Sequence, residues 1–294
     1  RNEHRACREA AVLIDMSFMS KFLLQGPGAG PLLDRLSTSA VDEGVAPGTI
    51  TYTQWLNREG TLEADLTVTK LPASTTHNGH QYDSPESGDQ CSFLVVATDT
   101  MHRHVETWMR RHIAALDYHS RHNIDQISLS NSMRFDGGNA GLEGNGAALR
   151  WADLAGCGDD NSEYATITDV TGGFAQLNLQ GPFSRSILEH AICESEDFDD
   201  SASRQILSNE SFPFRAVKEL YLGFAKVIVT RITYVGELGY EIFVPAEQAT
   251  HVLELLHNAA KKVGIEKLDK SLDSDGGKDS GKDCMGKASW AQYM

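Results

Sequence analysis

The chain of 294 residues is 40% hydrophobic and 23% charged, enough to bury a sizeable core, and at this length we expect two lobes or more. Its formal net charge of -15 argues against a nucleic acid or an anionic membrane surface as the main partner, because both are polyanions. No apolar run approaches the roughly 20 residues that span a bilayer. The expected partner is therefore a small molecule, with no nucleic acid and no membrane.

The chain opens at Arg1 with no initiator Met and no targeting pattern, so we expect a piece of a longer protein. Its five cysteines are far apart and form no CxxC pair, which disfavours a disulfide framework or structural zinc and favours a reducing compartment. His102, His104 and His112 lie in one helical run without sharing a face. They are expected at the surface, and no metal site is predicted.

The chain begins with a predicted helix, a short buried strand and a second helix. Helical composition covers residues 3–13, the buried strand covers 22–24, and the second helix starts at Pro31, a residue that the first turn tolerates. A glycine-rich turn at 26–30 precedes that helix. It is not expected to bind phosphate, because no Lys-Ser/Thr follows and Pro27 removes an amide donor.

Residues 50–57 and 62–71 predict a hairpin that turns at 58–61. Along the second strand apolar residues alternate with polar ones, which places Asp65 on the polar face. If that face meets solvent, Asp65 is an ordinary exposed carboxylate. If it meets a cavity, Asp65 is a candidate for proton transfer or charge stabilisation. Periodicity alone does not choose between the two.

The middle of the chain alternates predicted elements with long polar segments. Residues 124–160 contain many glycines and few large apolar residues, so they predict a long, mobile surface insertion. The remaining predictions are loops at 71–90 and 193–200, strands at 92–97, 165–170 and 175–180, and helices at 101–116 and 183–192.

Residues 227–245 predict a second hairpin around which the rest of the chain is organised. Tyr234, Glu237 and Glu241 lie at its closed end beside Gly236 and Gly239, which let a ligand approach the backbone closely. A glutamate in a turn is usually solvated. A tyrosine at a strand end usually packs its ring against the protein while its hydroxyl contacts water. Spacing alone leaves both the structural and the binding interpretation open.

The last predicted element is a helix over residues 246–263, with Gly264 as its C-terminal cap. Residues 266–294 are mainly Asp, Ser, Gly and Lys and have no core-forming pattern, so they predict a disordered tail. We therefore expect one region over 1–265 followed by this tail.

The chain resembles the folate-binding aminomethyltransferase family, which includes the T-protein of the glycine cleavage system. It looks most similar to the folate domain that follows the flavin domain in sarcosine and dimethylglycine dehydrogenases. Together the matching segments cover most of the chain up to Ile265. They are Glu3-His4, Ala6-Cys7-Arg8-Glu9-Ala10, Asp15-Met16-Ser17, Lys21-Phe22, Tyr52-Thr53, Leu56-Asn57, Gly60 with Asp65-Leu66-Thr67-Val68, Leu179-Gln180-Gly181-Pro182, Phe212-Pro213-Phe214 and Tyr234-Val235-Gly236-Glu237-Leu238-Gly239-Tyr240-Glu241.

The resemblance implies an α+β fold, a multi-lobed cloverleaf of antiparallel sheets around a central folate channel. It implies tetrahydrofolate as cofactor and transfer of a one-carbon unit at the formaldehyde level, from an amine-derived donor to N5 and N10 of the folate. Asp65 would be the catalytic residue, and Tyr234 and Glu241 would bind the cofactor. Asn57 and Glu237, from the matching segments, complete the expected cofactor-binding set.

Two departures from the family limit what the resemblance implies. The family continues into a C-terminal β-barrel lobe, whereas the sequence from Lys267 onward matches none of it. No GxGxxG is present, so FAD is expected only in a flavin domain outside this chain, and the chain alone is not expected to oxidise an amine. By resemblance the compartment is the mitochondrial matrix.

Two other functions remain open at this point. A non-catalytic regulatory module is one, because the regulatory subunit of pyruvate dehydrogenase phosphatase shares this architecture. An acidic interaction protein without a ligand is the other. The sequence lacks the Lys-Gly-Cys-Tyr signature of the folate-binding iron-sulfur assembly factor. Retention of Asp65, Tyr234 and Glu241 favours an enzyme part.

Overall fold

The computed structural model describes residues 2–72, 92–122, 164–193 and 205–274. The α-helices defined in these ranges are α1 (Asn2–Glu9), α2 (Ala29–Leu36), α3 (His102–His122), α4 (Ser184–Cys193) and α5 (Ala249–Ser274). The strands are β1 (Val12–Asp15), β2 (Ser20–Gln25), β3 (Thr49–Leu56), β4 (Leu62–Lys70), β5 (Ser92–Ala97), β6 (Thr166–Asp169), β7 (Phe174–Gln180), β8 (Val217–Leu222), β9 (Ala225–Thr230) and β10 (Gly239–Pro245). None of the helices within these ranges is long and apolar enough to cross a membrane.

The strands form two five-stranded antiparallel sheets. Sheet A has the order β1-β7-β10-β9-β8, and sheet B has the order β3-β4-β5-β2-β6. Within the described part of the chain neither sheet closes into a barrel. The α+β class predicted from the sequence, with antiparallel sheets, is confirmed.

Helices cover one face of each sheet, because alternate residues along the strands are apolar. On sheet A, Leu179, Val229 and Ile242 belong to a buried cluster with residues of α4 and α5. On sheet B, Trp55 and Val95 belong to a second cluster with residues of α2 and α3. Each sheet therefore has its own core on the helix side.

The opposite faces of the two sheets pack against each other. Phe243 of sheet A lies in one buried cluster with Leu94 and Val96 of sheet B, and Phe174 and Ile228 pack against that cluster. The chain is thus a four-layer sandwich of helices, sheet A, sheet B and helices. The space between the sheets is where side chains from distant parts of the sequence can meet.

The long side of the sandwich where β3 and β8 lie is bridged by hydrogen bonds. The backbone N–H of Ile50 donates to the carbonyl of Arg215 at 2.9 Å, and that of Val217 donates to the carbonyl of Gly48 at 2.8 Å. Arg215 has a φ of +70° and donates through its guanidinium to the Ile50 carbonyl and the Thr51 hydroxyl. A non-glycine residue in this conformation is strained, so these bonds hold it in place.

Both predicted hairpins are confirmed as adjacent antiparallel strands. β3 and β4 pair with Gln54 opposite Asp65. β9 and β10 pair with Thr230 opposite Glu241, but β9 ends at Thr230, so residues 231–238 form a longer loop than we expected.

Three sequence-based element assignments are wrong. The first helix ends at Glu9 rather than Leu13, because Val12–Asp15 pairs with β7 instead. The strand Val217–Leu222 was not predicted. The final helix runs through Gly264, the expected cap, to Ser274, so the first part of the predicted tail is helical.

Other predictions fall on residues that the structure does not describe. They include the expected insertion at 124–160, most of the loops at 71–90 and 193–200, and the tail from 275 onward.

Gly181, between β7 and α4, provides a test of the packing. Its φ is +121°, and an added Cβ would lie 2.7 Å from the Ala10 carbonyl oxygen. Gly181→Ala should therefore destabilise the fold by roughly 1–3 kcal/mol from the backbone alone, with the contact adding to that. The measurement is denaturant-induced unfolding. Gly172→Ala is the matched control, since a Cβ there meets nothing within 4 Å; equal effects of the two substitutions would contradict the prediction.

Candidate functional site

The period of two along each strand determines which polar residues face the space between the sheets. Glu241 lies two residues before Phe243 and therefore shares its face of sheet A. Thr69 pairs with Leu94, and Asp65 lies four residues before Thr69 on the same strand face of sheet B. The two candidate carboxylates thus belong to the facing surfaces of the two sheets.

Glu241 is the most perturbed carboxyl group on this surface. Burial raises the pKa of Glu241 to about 7, although a hydrogen bond from Asn178 and the charge of Lys21 act to lower it. The Asn178 Nδ2 donates to Glu241 Oε1 at 3.1 Å. The side chain nevertheless remains partly accessible, and a carboxyl that is both accessible and strongly desolvated is typical of a recess. Such a group is a candidate for binding a ligand.

Lys21 of β2 lies across the space between the sheets from Glu241. It is fully buried, and its Nζ donates to the carbonyls of Ser17 at 3.0 Å and Met19 at 2.7 Å. Burial lowers the pKa of Lys21 to about 8, against the opposing effect of carboxylates that include Glu241. Below about pH 8, a lysine that is held in this way supplies a fixed positive charge on the surface that faces Glu241.

Asp65 is exposed on β4 and is held by side chains of the neighbouring strand. Gln54 Nε2 donates to Asp65 Oδ1 at 3.4 Å. A hydrogen bond with Asp65 raises the pKa of Tyr52, and the charge of Tyr234 adds to that shift. Tyr52 is thus bonded to Asp65 and lies within electrostatic range of Tyr234.

The loop between β9 and β10 is fastened to α1. Arg8 donates to Glu237 Oε1 at 2.7 Å and to the Val235 carbonyl at 2.9 Å. Glu237, predicted to bind the cofactor, is thus engaged in an ion pair that holds the loop. Tyr234 is 75% exposed, so its ring is available to a ligand.

Asn57, another predicted binding residue, organises the turn between β3 and β4. Its Oδ1 accepts from the N–H groups of Glu59 at 3.1 Å and Thr61 at 2.9 Å, and its Nδ2 donates to Glu63 Oε1 at 2.9 Å. Both ends of the amide have protein partners. The structure gives Asn57 this turn-forming role, and cofactor binding by it remains a prediction.

A serine, a histidine and an aspartate meet elsewhere on sheet B. His102 Nδ1 lies 3.0 Å from Ser20 Oγ, and His102 Nε2 lies 3.2 Å from Asp169 Oδ2. Ser20 is buried, so its hydroxyl is not accessible to a substrate, and the three side chains join α3, β2 and β6. The expectation of surface histidines is wrong for His102 and His112, which are half-buried, whereas His104 is exposed.

The structure joins Asp65 to Tyr52 by a hydrogen bond, and it places Glu241 with Asn178 and Lys21 on the facing surfaces of the sheets. No role was expected from the sequence for Tyr52, Asn178 or Lys21. The alternation of polar and apolar residues in β7 could have identified Asn178. Nothing in the sequence pattern marks Lys21 as a buried lysine.

A family model described as the GCVT N-terminal domain matches residues 1–81 and 145–269. Mitochondrial sarcosine dehydrogenase of Homo sapiens is 28% identical over 265 residues, which cover 90% of this chain and 22% of that protein. The aminomethyltransferase of Chlorobium limicola is 26% identical over 266 residues, which cover 90% of this chain and 52% of that protein. The chain therefore spans about a fifth of the first relative and about half of the second.

Among solved structures, the glycine cleavage system aminomethyltransferase T from Bartonella henselae superimposes with a TM-score of 0.52. The sequence identity is 20%, and the match covers 86% of this chain and 47% of that chain. The similarity supports the fold derived above from the pairing of the strands.

The raised pKa of Glu241 predicts a pH-dependent cost of folding. Between about pH 4.5 and 7 the folded state holds a proton that the unfolded state has lost, so this group lowers stability as the pH rises through that window. Glu241→Gln removes the effect. Relative to wild type, the variant should gain up to roughly 3 kcal/mol of unfolding free energy between pH 5 and pH 8.

The measurement is urea unfolding of both proteins at the two pH values. Glu254→Gln, at an exposed position of α5, is the control and should shift stability by similar amounts at both. A Glu241→Gln difference that is the same at pH 5 and pH 8 would contradict the assigned environment.

Proposed function

The chain belongs to the GCVT N-terminal domain family, and from that membership we propose that it binds tetrahydrofolate between its two sheets and takes part in one-carbon transfer to it. The names of its relatives, an aminomethyltransferase and a sarcosine dehydrogenase, support this class of reaction. The observation that carries the proposal is the partly accessible, desolvated Glu241 on the surface that faces sheet B.

The residues around Glu241 fit the head group of a folate. A reduced pterin presents a ring N–H beside an exocyclic amino group, and a carboxylate accepts from two such donors through parallel hydrogen bonds. Ligand binding needs the ionised form, and Lys21 favours it because a nearby positive charge lowers the pKa of Glu241. Asn178 favours it as well by donating to Oε1.

Asp65 is proposed to act on the one-carbon donor rather than on the pterin. Bound tetrahydrofolate supplies the nitrogens that accept the carbon. The Asp65 carboxylate, oriented by Gln54 and Tyr52, would stabilise a cationic donor and assist proton movement. The exposed ring of Tyr234 would contact the cofactor beside it.

The wider context of the reaction is part of the same proposal. From the name of the human relative, a mitochondrial sarcosine dehydrogenase, we infer a mitochondrial location and a longer protein that oxidises a small amine. A flavin domain for that oxidation is what the family resemblance implies. Amine oxidation would then generate the one-carbon donor that Asp65 stabilises. Folate binding without any transfer would instead favour the regulatory role raised in the sequence analysis.

Glu241→Gln should weaken tetrahydrofolate binding at least tenfold, because an amide can accept from only one of the two donors. A charge-assisted hydrogen bond contributes about 1.5–3 kcal/mol. Isothermal titration calorimetry of wild type and variant measures the change, and Glu254→Gln is the control with expected wild-type affinity. Wild-type affinity in Glu241→Gln would remove Glu241 from the binding site.

Asp65→Asn should keep tetrahydrofolate affinity within about twofold. It should lower the rate of one-carbon transfer about a hundredfold or more, which is the usual effect of losing one group that stabilises charge in the transition state. Formation of methylene-tetrahydrofolate by the full-length protein is the readout. Asp99→Asn, at an exposed position before α3, is the control. Unchanged turnover in Asp65→Asn would rule out the catalytic role.

A further inference from the structure

Three side chains form a row across the inner face of sheet A. Asn178 of β7 pairs with Glu241 of β10, which pairs with Thr230 of β9. Directly paired residues of an antiparallel sheet project to the same side, so all three point toward sheet B with Phe243. Asn178 and Thr230 are both buried.

Asn178 has one satisfied and one unsatisfied polar atom. It is only 1% exposed, and its Nδ2 donates to Glu241 Oε1 at 3.1 Å. Its Oδ1 is also buried and has no hydrogen-bond partner among the described residues. A buried acceptor without a partner is unfavourable and uncommon in native proteins, which suggests that a ligand completes its hydrogen bonding.

The orientation of the Asn178 amide follows from the charge of its neighbour. An ionised carboxylate only accepts hydrogen bonds, so the amide turns its NH₂ toward Glu241 and its oxygen away from it. On the Asn178 side the row therefore presents two carboxylate oxygens and one amide oxygen, which are all acceptors and suit a ligand edge that consists of donors. The Thr230 hydroxyl on the other side of Glu241 can donate as well as accept.

A planar edge with a ring N–H beside an exocyclic amino group fits these acceptors. The carboxylate pairs with the ring N–H and with one hydrogen of the amino group. The second hydrogen of that amino group then needs an acceptor to one side of the carboxylate. Because the Asn178 amide nitrogen is bonded to Oε1, the amide flanks that edge of the carboxylate, and its Oδ1 is an acceptor there without a partner among the described residues.

We propose that Asn178 is a specificity-determining residue that accepts a hydrogen bond from the exocyclic amino group of the pterin bound at Glu241. The inference rests on the proposed function and assigns a second contact to the same site. Asn178 also positions the Glu241 carboxylate through its NH₂. Its contribution should therefore depend on whether the ligand carries the amino group.

The test compares tetrahydrofolate with an analogue in which a methyl group replaces the exocyclic amino group, both titrated by calorimetry. Asn178→Ala should lower tetrahydrofolate affinity clearly more than analogue affinity, by a further factor of roughly two to ten, the range for one neutral hydrogen bond. Glu254→Gln, at an exposed position of α5, is the control and should affect both ligands equally.

Equal losses of both ligands in Asn178→Ala would overturn the proposed contact while leaving the proposed function intact. Failure of the wild-type chain to bind either ligand would instead overturn the proposed function, and this inference with it. Asn178→Leu keeps the branched shape of the side chain without its polar atoms and serves if the alanine variant does not fold. Its expected selectivity loss is the same, and circular dichroism verifies that each variant is folded.

Discussion

The contact of Phe243 with Leu94 and Val96 fixes how the two sheets face each other. Because side chains alternate along a strand, this contact also determines that Glu241 and Asp65 lie on the inner surfaces rather than among the helices. A shift of one residue in the register of either strand would turn its carboxylate toward an apolar core. The chemistry of the site thus depends on the register of the sheets.

The charged groups on the inner faces of the sheets lower the stability of the fold. Glu241 and Lys21 are each desolvated, and their mutual attraction offsets only part of that cost, as the pKa values of about 7 and about 8 indicate. Neither group contributes to either apolar core. Residues that reduce stability in this way are expected where a protein must bind a polar ligand.

The sequence was sufficient for features that depend on local periodicity and insufficient for features that depend on distant contacts. The β3–β4 hairpin and its polar face were predictable from alternation alone. β8 was missed because Val217–Leu222 contains a single β-branched residue, and its strand conformation comes from pairing with β9. The end of α1 was misplaced for the same reason, since pairing with β7 outweighs local helical preference.

The same distinction applies to the site. Asp65, Tyr234 and Glu241 could be named from turns and a family resemblance, and Asn178 stands out from the alternating sequence of β7. The partners of these residues could not be inferred, because β2 and β10 are more than 200 residues apart in sequence. The ion pair of Arg8 with Glu237 spans a similar separation.

The bridge at Arg215 restrains how the two sheets can move against each other. It joins the edges of the two sheets on one long side, while the short connections from β1 to β2 and from β6 to β7 join them on the other. In the described part of the chain the sheets are therefore tied along both long sides, so their inner faces cannot separate without breaking the bonds on one side or straining a short connection on the other.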